Sequence, residues 1–521
     1  MTGEPATATL DYTIPERSGE VLIAPGLDRV PSLLAASHAV RWNGVEVLGV
    51  PLAEFRRRVR ARALRLAADY TGGAAPDPAQ ALVVMGHQPV LFHPGVWVKY
   101  FLLTRIARET SAAALHLIVD TDATGPIGAD VPAQHDRLVR VRETLVDLPG
   151  DVPLEAAAVP ATAAWAGFLG RVRGHLAAVP VPGLLAHLDT WAQGVREART
   201  SHHLGEFLAR LRRGYEAGAG APAYLELPMS VLAETPEFRA FALHLLREPD
   251  VLRRSYNAQL DAHRRARRLR SPANPFPNLA EDGALIEAPF WVVRGGRRND
   301  LYVSRAGARL ELRTSSGPIA SVPADASGAD ALAEAGVALR PKAITLTMFA
   351  RLCLGDLFIH GVGGGRYDRV TDAIIADLFG CRPVPYLVAT ATLHLPLPAE
   401  ATGEERRRLE RLQSDYRHNP DRHLEGATDA QRRLVDEKWR LIGEVETMRP
   451  GPDRRAATRR IREINVELAS SLAPERARVD ARLAVLDGAD AGGAAGYRDY
   501  PFFLFDPVEV AALAGSREPA N

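Results

Sequence analysis

Cysteine is scarce in this sequence, and its scarcity excludes two kinds of structural support. Among the 521 residues only Cys353 and Cys381 carry a thiol. Two thiols are too few for a disulfide framework or for a zinc site built from several thiolates, and a lone structural disulfide is rare in the cytosol. Cys353 falls in an apolar segment and Cys381 in a loop, and no local motif marks either one as a nucleophile.

Long apolar runs and an excess of one charge are missing as well. Nowhere do about 18 uncharged apolar residues follow one another, and residues 1–19 lack a basic stretch followed by an apolar one. The 64 lysines and arginines nearly balance the 63 aspartates and glutamates, and the net charge of +1 gives no electrostatic footprint for nucleic acid or an anionic membrane. We therefore expect a cytoplasmic protein that acts on a small molecule and binds neither nucleic acid nor a membrane.

What is present is the composition of an ordinary globular protein, with 46% hydrophobic and 24% charged residues. A chain of 521 residues is too long for one compact core, so several structural units are expected. Changes in composition predict six segments: an N-terminal segment packed on the core (1–75), the first half of a Rossmann-like core (76–150), a helical insertion (151–270), the second half of the core with a β-hairpin (271–400), a helical coiled-coil hairpin (403–487) and a C-terminal tail (488–521).

Two stretches predict an α/β fold with a Rossmann-like parallel sheet. In residues 81–125 two apolar runs flank a segment long enough for a helix, which is typical of a β-α-β unit. Residues 356–395 repeat this arrangement, with glycines between the first apolar run and the helix. Between these stretches, residues 287–307 place apolar runs on both sides of a Gly-Gly pair and predict a β-hairpin.

Helical segments account for most of the remainder. Residues 51–72 predict an amphipathic helix whose arginines form a solvated face, and residues 341–355 predict a second helix. From residue 403 the chain is dense in charge, and two long helical segments flank an Arg-Pro-Gly-Pro-Asp sequence at 449–453. We interpret 403–487 as an antiparallel coiled-coil hairpin through which the protein forms a homodimer.

The loop at residues 86–95, after the first predicted strand, is the main candidate site. In α/β sheets this edge binds ligands, and neither Pro94 nor Gly95 caps the helix that follows, so free N–H groups there favour an anion. The alternative is a tightly packed turn in which the histidines hydrogen-bond locally and Lys99 extends outward. The candidate anion- or nucleotide-binding residues are Gly86, Gln88, Gly95 and Lys99, and the candidate acid and base are His87 and His93.

Two carboxylates end the second predicted strand, at the same edge of the sheet. Asp120 and Asp122 are candidate catalytic residues, because carboxylates in this position hold a magnesium ion, a ribose or a substrate amine. In the alternative, Asp122 caps the turn and Asp120 pairs with an arginine. No histidines or cysteines have metal-ligand spacing, so no dedicated metal site is predicted.

A glycine cluster follows the strand of the second α/β stretch. It is neither a phosphate-binding Walker loop nor a dinucleotide fingerprint, because no Lys-Ser/Thr pair follows and Arg366 replaces the third glycine. Glycines in such a turn let the backbone approach a ligand closely. We predict that the wall of the nucleotide or anion site opposite the loop is formed by Gly363, Gly364, Gly365 and Arg366. His360 is predicted to be an ordinary strand histidine.

These residues resemble a known family, the cysteine ligases (cysteine-adding enzymes) of bacillithiol biosynthesis. The loop that begins Gly-His-Gln-Pro at residue 86, the helix with Lys99 and the strand that ends in acids are similar to that family's Gly-Gln-Gln-Pro loop, lysine-bearing helix and acid-ending strand. Residues 255–269, 339–352 and 358–380 are similar to later segments of the family and follow in the same order.

The chain departs from the family at three points. The strand ends in Asp-Thr-Asp-Ala where the family has an acid cluster that contains histidine, Arg366 replaces a glutamate, and His87 replaces a glutamine. As a divergent relative, the chain is expected to have a Rossmann-like core, a helical insertion and a coiled-coil hairpin. The resemblance implies a ligase that joins an amino acid, such as cysteine, to a small amine-bearing acceptor, with ATP or ADP and Mg²⁺ as candidate cofactors.

Two other functions fit the same sequence. A nucleotidyl- or glycosyltransferase would use the same anion site with a different donor. A non-catalytic assembly protein would keep the α/β core as a scaffold and act through the coiled coil.

Overall fold

The structure, a computed structural model, describes residues 12–40, 42–134, 138–267, 276–397, 403–448, 452–489 and 494–515. These residues form the strands β1 Val21–Ala24, β2 Glu46–Val47, β3 Val50–Pro51, β4 Leu82–His87, β5 Ala113–Ile118, β6 Ile127–Gln134, β7 Leu138–Val146, β8 Leu225–Pro228, β9 Glu281–Asp282, β10 Leu285–Arg294, β11 Arg297–Ala306, β12 Arg309–Thr314, β13 Gly317–Pro323, β14 Ala338–Pro341, β15 Leu357–His360 and β16 Tyr386–Ala391.

Helices cover about half of the described chain. They are α1 Val30–Ala39, α2 Leu52–Thr71, α3 Pro94–Thr110, α4 Thr162–Leu176, α5 Leu184–Gln193, α6 Val195–Ala198, α7 Leu204–Glu216, α8 Met229–Ala233, α9 Pro236–Leu246, α10 Pro249–Arg267, α11 Gly328–Glu334, α12 Ala343–Phe349, α13 Val362–Phe379, α14 Gly403–His418, α15 Asp429–Thr447, α16 Pro452–Ser470, α17 Ala473–Ala489 and α18 Pro507–Gly515. A π-helical turn, Ala350–Leu354, extends α12. Within the part of the chain that the structure describes, no helix combines the length and apolar character needed to cross a membrane.

A six-stranded sheet forms the centre of the α/β fold, in the order β1-β16-β15-β4-β5-β8. Five strands are parallel, and β1 runs antiparallel along the edge beside β16. The chain runs outward from β4 through β5 to β8, and then resumes on the other side of β4 with β15 and β16. The direction of strand order therefore reverses between β4 and β15. The mixed α/β fold with a mostly parallel sheet is confirmed.

The strands of this sheet are continuous apolar runs because both faces are covered. Leu82, Val83, Val84 and Met85 of β4 have no exposed surface, and every residue of β5 and β15 is buried. Parallel strands covered on both faces lack the alternation of half-exposed strands. For this reason the predicted strands at 81–125 and 356–395 agree with the structure.

Two strands of the sheet were not predicted, β1 in the N-terminal segment and β8. β8, from Leu225 to Pro228, pairs in parallel with β5, although it lies inside the predicted helical insertion 151–270. A four-residue strand between glycine- and proline-rich stretches is too short to show a periodic pattern. The β6–β7 hairpin, which follows β5, was also not predicted.

A second, antiparallel sheet has the order β13-β12-β11-β10-β14, with β9 paired to β10. The predicted hairpin is confirmed as β10 and β11, joined through Gly295 and Gly296. Both glycines have positive φ, 58° and 71°. A two-residue turn with positive φ at both positions matches the twist of its strands, and glycine adopts it without strain.

Helix α2 confirms the predicted amphipathic helix, but not the predicted solvation of all its arginines. Arg56 and Arg60 are buried and bind the carboxylate of Asp356. Each has a guanidinium nitrogen 3.0 Å from an Asp356 oxygen. Charged residues in an amphipathic helix usually face water, and here a buried acid from a distant part of the chain changes that preference.

Asp356 also connects the two strands between which the strand order reverses. It immediately precedes β15, and its Oδ2 accepts the N–H of Leu82, the first residue of β4, at 2.9 Å. Its own N–H donates to the Leu82 carbonyl at 2.7 Å. The ion cluster of Asp356, Arg56 and Arg60 therefore fixes the amino-terminal ends of β4 and β15 beside each other.

The C-terminal charge-dense part contains four helices instead of two long segments. α15 packs on α16 around Leu441, Ile464 and Leu468, and α14 packs on α17. Pro420 prevents α14 from continuing, and Thr428 starts α15 with a capping box. Of the predicted turn at 449–453, residues 449–451 lie outside the described residues.

The tail packs through aromatic residues onto the loop after β4 and onto α5. The N–H of Phe502 donates to the Phe92 carbonyl at 2.7 Å, and the ring of Phe503 stacks on Trp191 at 4.2 Å. Just before them, Arg498 donates from Nη2 to the Ala391 carbonyl at 2.7 Å. The tail thus brings a cation to the carboxyl end of β16.

Replacing Asp356 with alanine is expected to destabilise the protein strongly. The substitution leaves two buried guanidinium groups without their carboxylate, which typically costs about 3–5 kcal/mol. Urea unfolding measures the change. Asp189→Ala is the matched control, because it removes an acid whose ion pair with Arg173 is about half exposed and contributes little. Equal losses in the two variants would contradict the role assigned to Asp356.

Candidate functional site

A cavity of about 480 Å³ opens at the carboxyl ends of β4 and β15, where the strand order reverses. This volume lies within the range of small-molecule pockets, and open α/β sheets bind ligands at this position. The loop after β4 and the glycine turn after β15 form facing walls. The predicted site residues that line the cavity are Gly86, His87, Gln88, His93, Gly95, Lys99, Asp122, Gly363 and Gly364.

Three predicted site residues do not line the cavity. Asp120 is completely buried and accepts hydrogen bonds from the N–H and hydroxyl of Ser230, and burial raises the pKa of its carboxyl to about 7. Arg366 donates to the Tyr12 carbonyl at 2.7 Å. A Cβ on Gly365 would lie 2.1 Å from Val388 Cγ2, so this glycine lets α13 pack closely on β16.

The N–H groups predicted to be free at the start of α3 have partners. His93 caps the helix: its Nδ1 accepts the Gly95 N–H at 3.1 Å. Its carbonyl accepts the N–H groups of Val96 and Trp97 at 3.0 and 3.2 Å. Pro94 has no N–H. The prediction of free N–H groups at this helix end was therefore wrong, because His93 supplies the side-chain acceptor that Pro94 and Gly95 lack.

The two histidines of the loop are held uncharged at neutral pH. Burial and the nearby Lys99 lower the pKa of His87 well below its usual value, and its Nδ1 is 2.9 Å from the Gln88 carbonyl. Burial and Arg498 lower the pKa of His93 to about 4. Both side chains therefore offer hydrogen bonds to a ligand but no positive charge.

Asp122 is engaged by protein donors. Its Oδ2 accepts from Gln88 Nε2 at 2.9 Å, and its Oδ1 accepts from Arg298 Nη1 at 2.6 Å and from the Ala123 N–H at 2.9 Å. Asp120 points elsewhere, so the two carboxylates do not form a pair. Among the described residues, no group of three or more histidine, cysteine or acidic side chains is arranged to hold a metal ion.

Lys99 is the cavity residue whose charge lacks compensation. Its side chain is only 2% exposed, and no carboxylate in the described chain forms an ion pair with it. Burial alone lowers the pKa of its ammonium group to about 8, so the group remains mostly charged at neutral pH. A Cβ on Gly361 would lie 3.7 Å from Nζ, so the ammonium group faces the residue that precedes α13.

The start of α13 presents backbone donors to the same point. Gly361 is its N-cap and supplies no side-chain hydrogen bond. The first helical bond runs from Gly365 N–H to the Gly361 carbonyl at 2.9 Å. In the described part of the chain, the N–H groups of Val362, Gly363 and Gly364 therefore have no partner. The positive end of an 18-residue helix and a buried ammonium group meet beside Gly361.

The balance of charge in the cavity wall is positive. Asp122 is the acid of this wall in the described chain, and the cations are Lys99, Arg298, Lys342 and Arg498. Arg298 and Lys342 also lie over the ring of Trp291, at 4.5 and 4.1 Å from its centroid. Lys342 is paired with Glu287 and Asp300, at 2.7 and 2.8 Å, and Arg298 is paired with Asp122. The charge of this wall that would attract an anion is therefore that of Lys99.

Sequence reasoning missed Lys342, although the sequence contains a sign of it. The chain has three lysines, Lys99, Lys342 and Lys438, among its 64 lysine and arginine residues. Two of the three line the cavity. Lysine and arginine are not interchangeable, so the rarity of lysine in this chain draws attention to the few positions that have it.

His360, predicted to be an ordinary strand histidine, does lie in a strand, and it also lines the cavity. It ends β15, and its Nε2 lies 2.7 Å from Asp368 Oδ2. The same oxygen accepts from Arg351 Nη1 at 2.6 Å. Asp368 lies two turns into α13, which no pattern of the sequence relates to the end of β15.

Comparison of the sequence with protein-family models and with curated proteins found no match in either set. Candidate functions are therefore distinguished by the chemistry of the cavity. That chemistry is a buried lysine without an ion pair in the described chain, a helix end with free donors and three histidines.

Replacing Lys99 with methionine is expected to stabilise the ligand-free protein. Burial lowers the pKa of Lys99 from 10.5 to about 8, so below pH 8 the folded state bears a cost of about 3 kcal/mol for the charge. The gain from the substitution is complete below pH 8 and disappears as the pH approaches 10.5, where the unfolded lysine also loses its proton. Urea unfolding at pH 7 and pH 9.5 measures both effects.

Lys438→Met is the matched control for this prediction. Lys438 is equally buried, but its Nζ lies 2.6 Å from Asp421, which is also buried. Its loss leaves an uncompensated carboxylate and destabilises the protein. A loss of stability in both variants at pH 7 would show that Lys99 has a partner.

Proposed function

We propose that the chain is an enzyme of small-molecule metabolism that binds an anionic group, a phosphate or a carboxylate, between Lys99 and the start of α13. The proposed reaction is ligase-like and joins an amino acid, cysteine among the candidates, to a small amine-bearing acceptor. The proposed source of the phosphate is a nucleotide, ATP or ADP.

The observation that carries the proposal is the buried ammonium group of Lys99 beside the uncapped start of α13. An uncompensated charge in a buried position is costly, and a phosphate or carboxylate would accept hydrogen bonds from the helix N–H groups while neutralising the lysine. The glycines at 363 and 364 leave the backbone open to such a group. Both features converge on one point of one cavity.

The strand order supports a Rossmann-like core. Read from β8 to β16, the parallel strands follow the order 3-2-1-4-5, which is the order of dinucleotide-binding folds, and the cavity lies at the reversal point. The glycine turn lacks the dinucleotide fingerprint, so the fold favours a phosphate ligand without specifying a nicotinamide or flavin.

The ligase assignment depends on the resemblance to the cysteine ligases of bacillithiol biosynthesis. The residues shared with that family, Gly86 and Gln88 of the loop and Lys99 of α3, all line the cavity. A nucleotidyl- or glycosyltransferase is the second candidate, because the same anion site would bind its phosphorylated donor. Product analysis by mass spectrometry separates them: a ligase consumes ATP only with both an amino acid and an amine present, whereas a transferase adds part of its donor to the acceptor.

The four C-terminal helices support a further part of the proposal, an antiparallel coiled-coil hairpin that mediates a homodimer. Neighbouring helices α15 and α16 share apolar contacts within a polar background, as in coiled coils. The dimer is independent of the anion site, and the molar mass of the full chain in solution tests it.

The anion site is tested by labelling with pyridoxal phosphate, an aldehyde that carries a phosphate. If its phosphate binds at the start of α13, its aldehyde reaches the Lys99 amine and borohydride fixes the adduct. We expect preferential labelling of Lys99 over Lys342 and Lys438, and at least tenfold protection by saturating ADP or ATP, with and without Mg²⁺. With three lysines in the chain, peptide mass spectrometry assigns the adduct directly.

Pyridoxal without its phosphate is the control, since it has the same aldehyde and no anion. Equal labelling by the two reagents would show that lysine reactivity alone, and not anion binding, directs the adduct. A thermal shift provides the second measurement: a nucleotide at about 100 times its dissociation constant adds about 2.7 kcal/mol to the free energy of unfolding. This shift is expected in the wild type and not in Lys99→Met.

A further inference from the structure

We infer that His360 is the proton-transfer residue of the cavity, with Asp368 and Arg351 as its positioning residues, and that it removes a proton from the amine of the acceptor. The inference rests on the proposed function, since it assumes that the cavity binds an amine-bearing substrate beside the anion site.

The contact with Asp368 determines which ring nitrogen of His360 can act as a base. Nε2 is 2.7 Å from Asp368 Oδ2, so Nε2 carries the proton and donates it to the carboxylate. The lone pair is therefore on Nδ1, which has no hydrogen-bond partner among the described residues. Of the three histidines that line the cavity, His87 is bonded to a backbone carbonyl and His93 caps α3. His360 is the one bonded to a buried carboxylate.

Asp368 is fixed in turn by a buried arginine. Arg351 Nη1 lies 2.6 Å from Asp368 Oδ2 and 2.6 Å from Asp372 Oδ1, and Arg351 Nε donates to the Val384 carbonyl at 3.0 Å. Burial alone would raise the pKa of Asp368, but Arg351 and His360 outweigh it and hold the pKa below its usual value. Asp368 therefore stays ionised and stabilises the positive charge that His360 gains with a proton.

A glycine leaves space for the reactive edge of the imidazole. A Cβ on Gly364 would lie 2.5 Å from His360 Nδ1, closer than real contacts allow. The rings of Phe358 and Tyr386 pack on the imidazole, with centroids 4.5 and 5.3 Å away. These contacts fix the ring from the sides, while Gly364 keeps Nδ1 clear. Besides Asp368, the charged groups on the neighbouring elements are Arg351, Asp372 and Lys99.

The proton transfer is a simple acid–base step. Nδ1 of His360 forms a bond to a proton of the acceptor's ammonium group, the N–H bond breaks, and its electron pair stays on the nitrogen. The products are a neutral, nucleophilic amine and an imidazolium whose charge Asp368 balances. Water removes the proton from Nδ1 after the reaction.

The test measures the modification of His360 by diethyl pyrocarbonate, which acylates unprotonated imidazole nitrogens, with peptide mass spectrometry of the full chain. His418, which is exposed, is the internal reference. In the wild type we expect the rate of His360 modification to rise with pH through a defined midpoint. In Asp368→Asn the midpoint should fall by about one unit or more, because the carboxylate no longer stabilises the imidazolium. An unreactive His360, or an unchanged midpoint, would overturn the inference.

Gly364→Ala tests the same geometry without removing the buried carboxylate. Its methyl group displaces or covers Nδ1, so the reaction of His360 relative to His418 should fall at least tenfold in the folded variant. An unchanged ratio would contradict the placement of Nδ1. Saturating ADP separates the two proposals. If ADP shifts the melting temperature of the wild type but His360 reacts in Asp368→Asn and in Gly364→Ala as it does in the wild type, only the inference about His360 fails. If no ligand binds while the variants behave as expected, the proposed function fails alone.

Discussion

The ion cluster of Asp356 with Arg56 and Arg60 is the interaction on which the site depends. It holds the amino ends of β4 and β15 together, and parallel strands fixed at one end remain neighbours at the other. That other end is where the loop after β4 faces the glycine turn after β15. The buried ion cluster therefore holds together the two strands whose opposite ends open into the cavity, although none of its side chains lines the cavity.

The cavity combines two features that favour a bound anion. The buried lysine without an ion pair in the described chain carries a free-energy cost, and the uncapped start of α13 offers N–H groups at the cavity surface. Elsewhere the fold neutralises such groups thoroughly, as in the buried pairs of Arg351 with Asp368 and Lys438 with Asp421. This contrast within one chain is the main support for the proposed anion site at Lys99.

Sequence reasoning predicted most of the parallel sheet and part of the site. Continuous apolar runs followed by glycine predicted strands such as β4 and β15. Because these strands are parallel, the loops that follow them lie at the same edge of the sheet. Sequence reasoning could not predict β8, whose four residues become a strand by pairing with β5. The sequence also could not show that Asp120 and Asp122 have different surroundings. They are two positions apart after β5, but Asp120 binds Ser230 of α8 and Asp122 lines the cavity.

The cavity wall is also built from distant parts of the chain. Arg498 approaches from the tail, binds the end of β16, and contributes a charge to the wall. The strands of the sheet alone therefore lack part of the cavity wall. The wall is complete only after Arg498 has been synthesised and the aromatic residues that follow it have packed, so the strands of the sheet do not form the site by themselves.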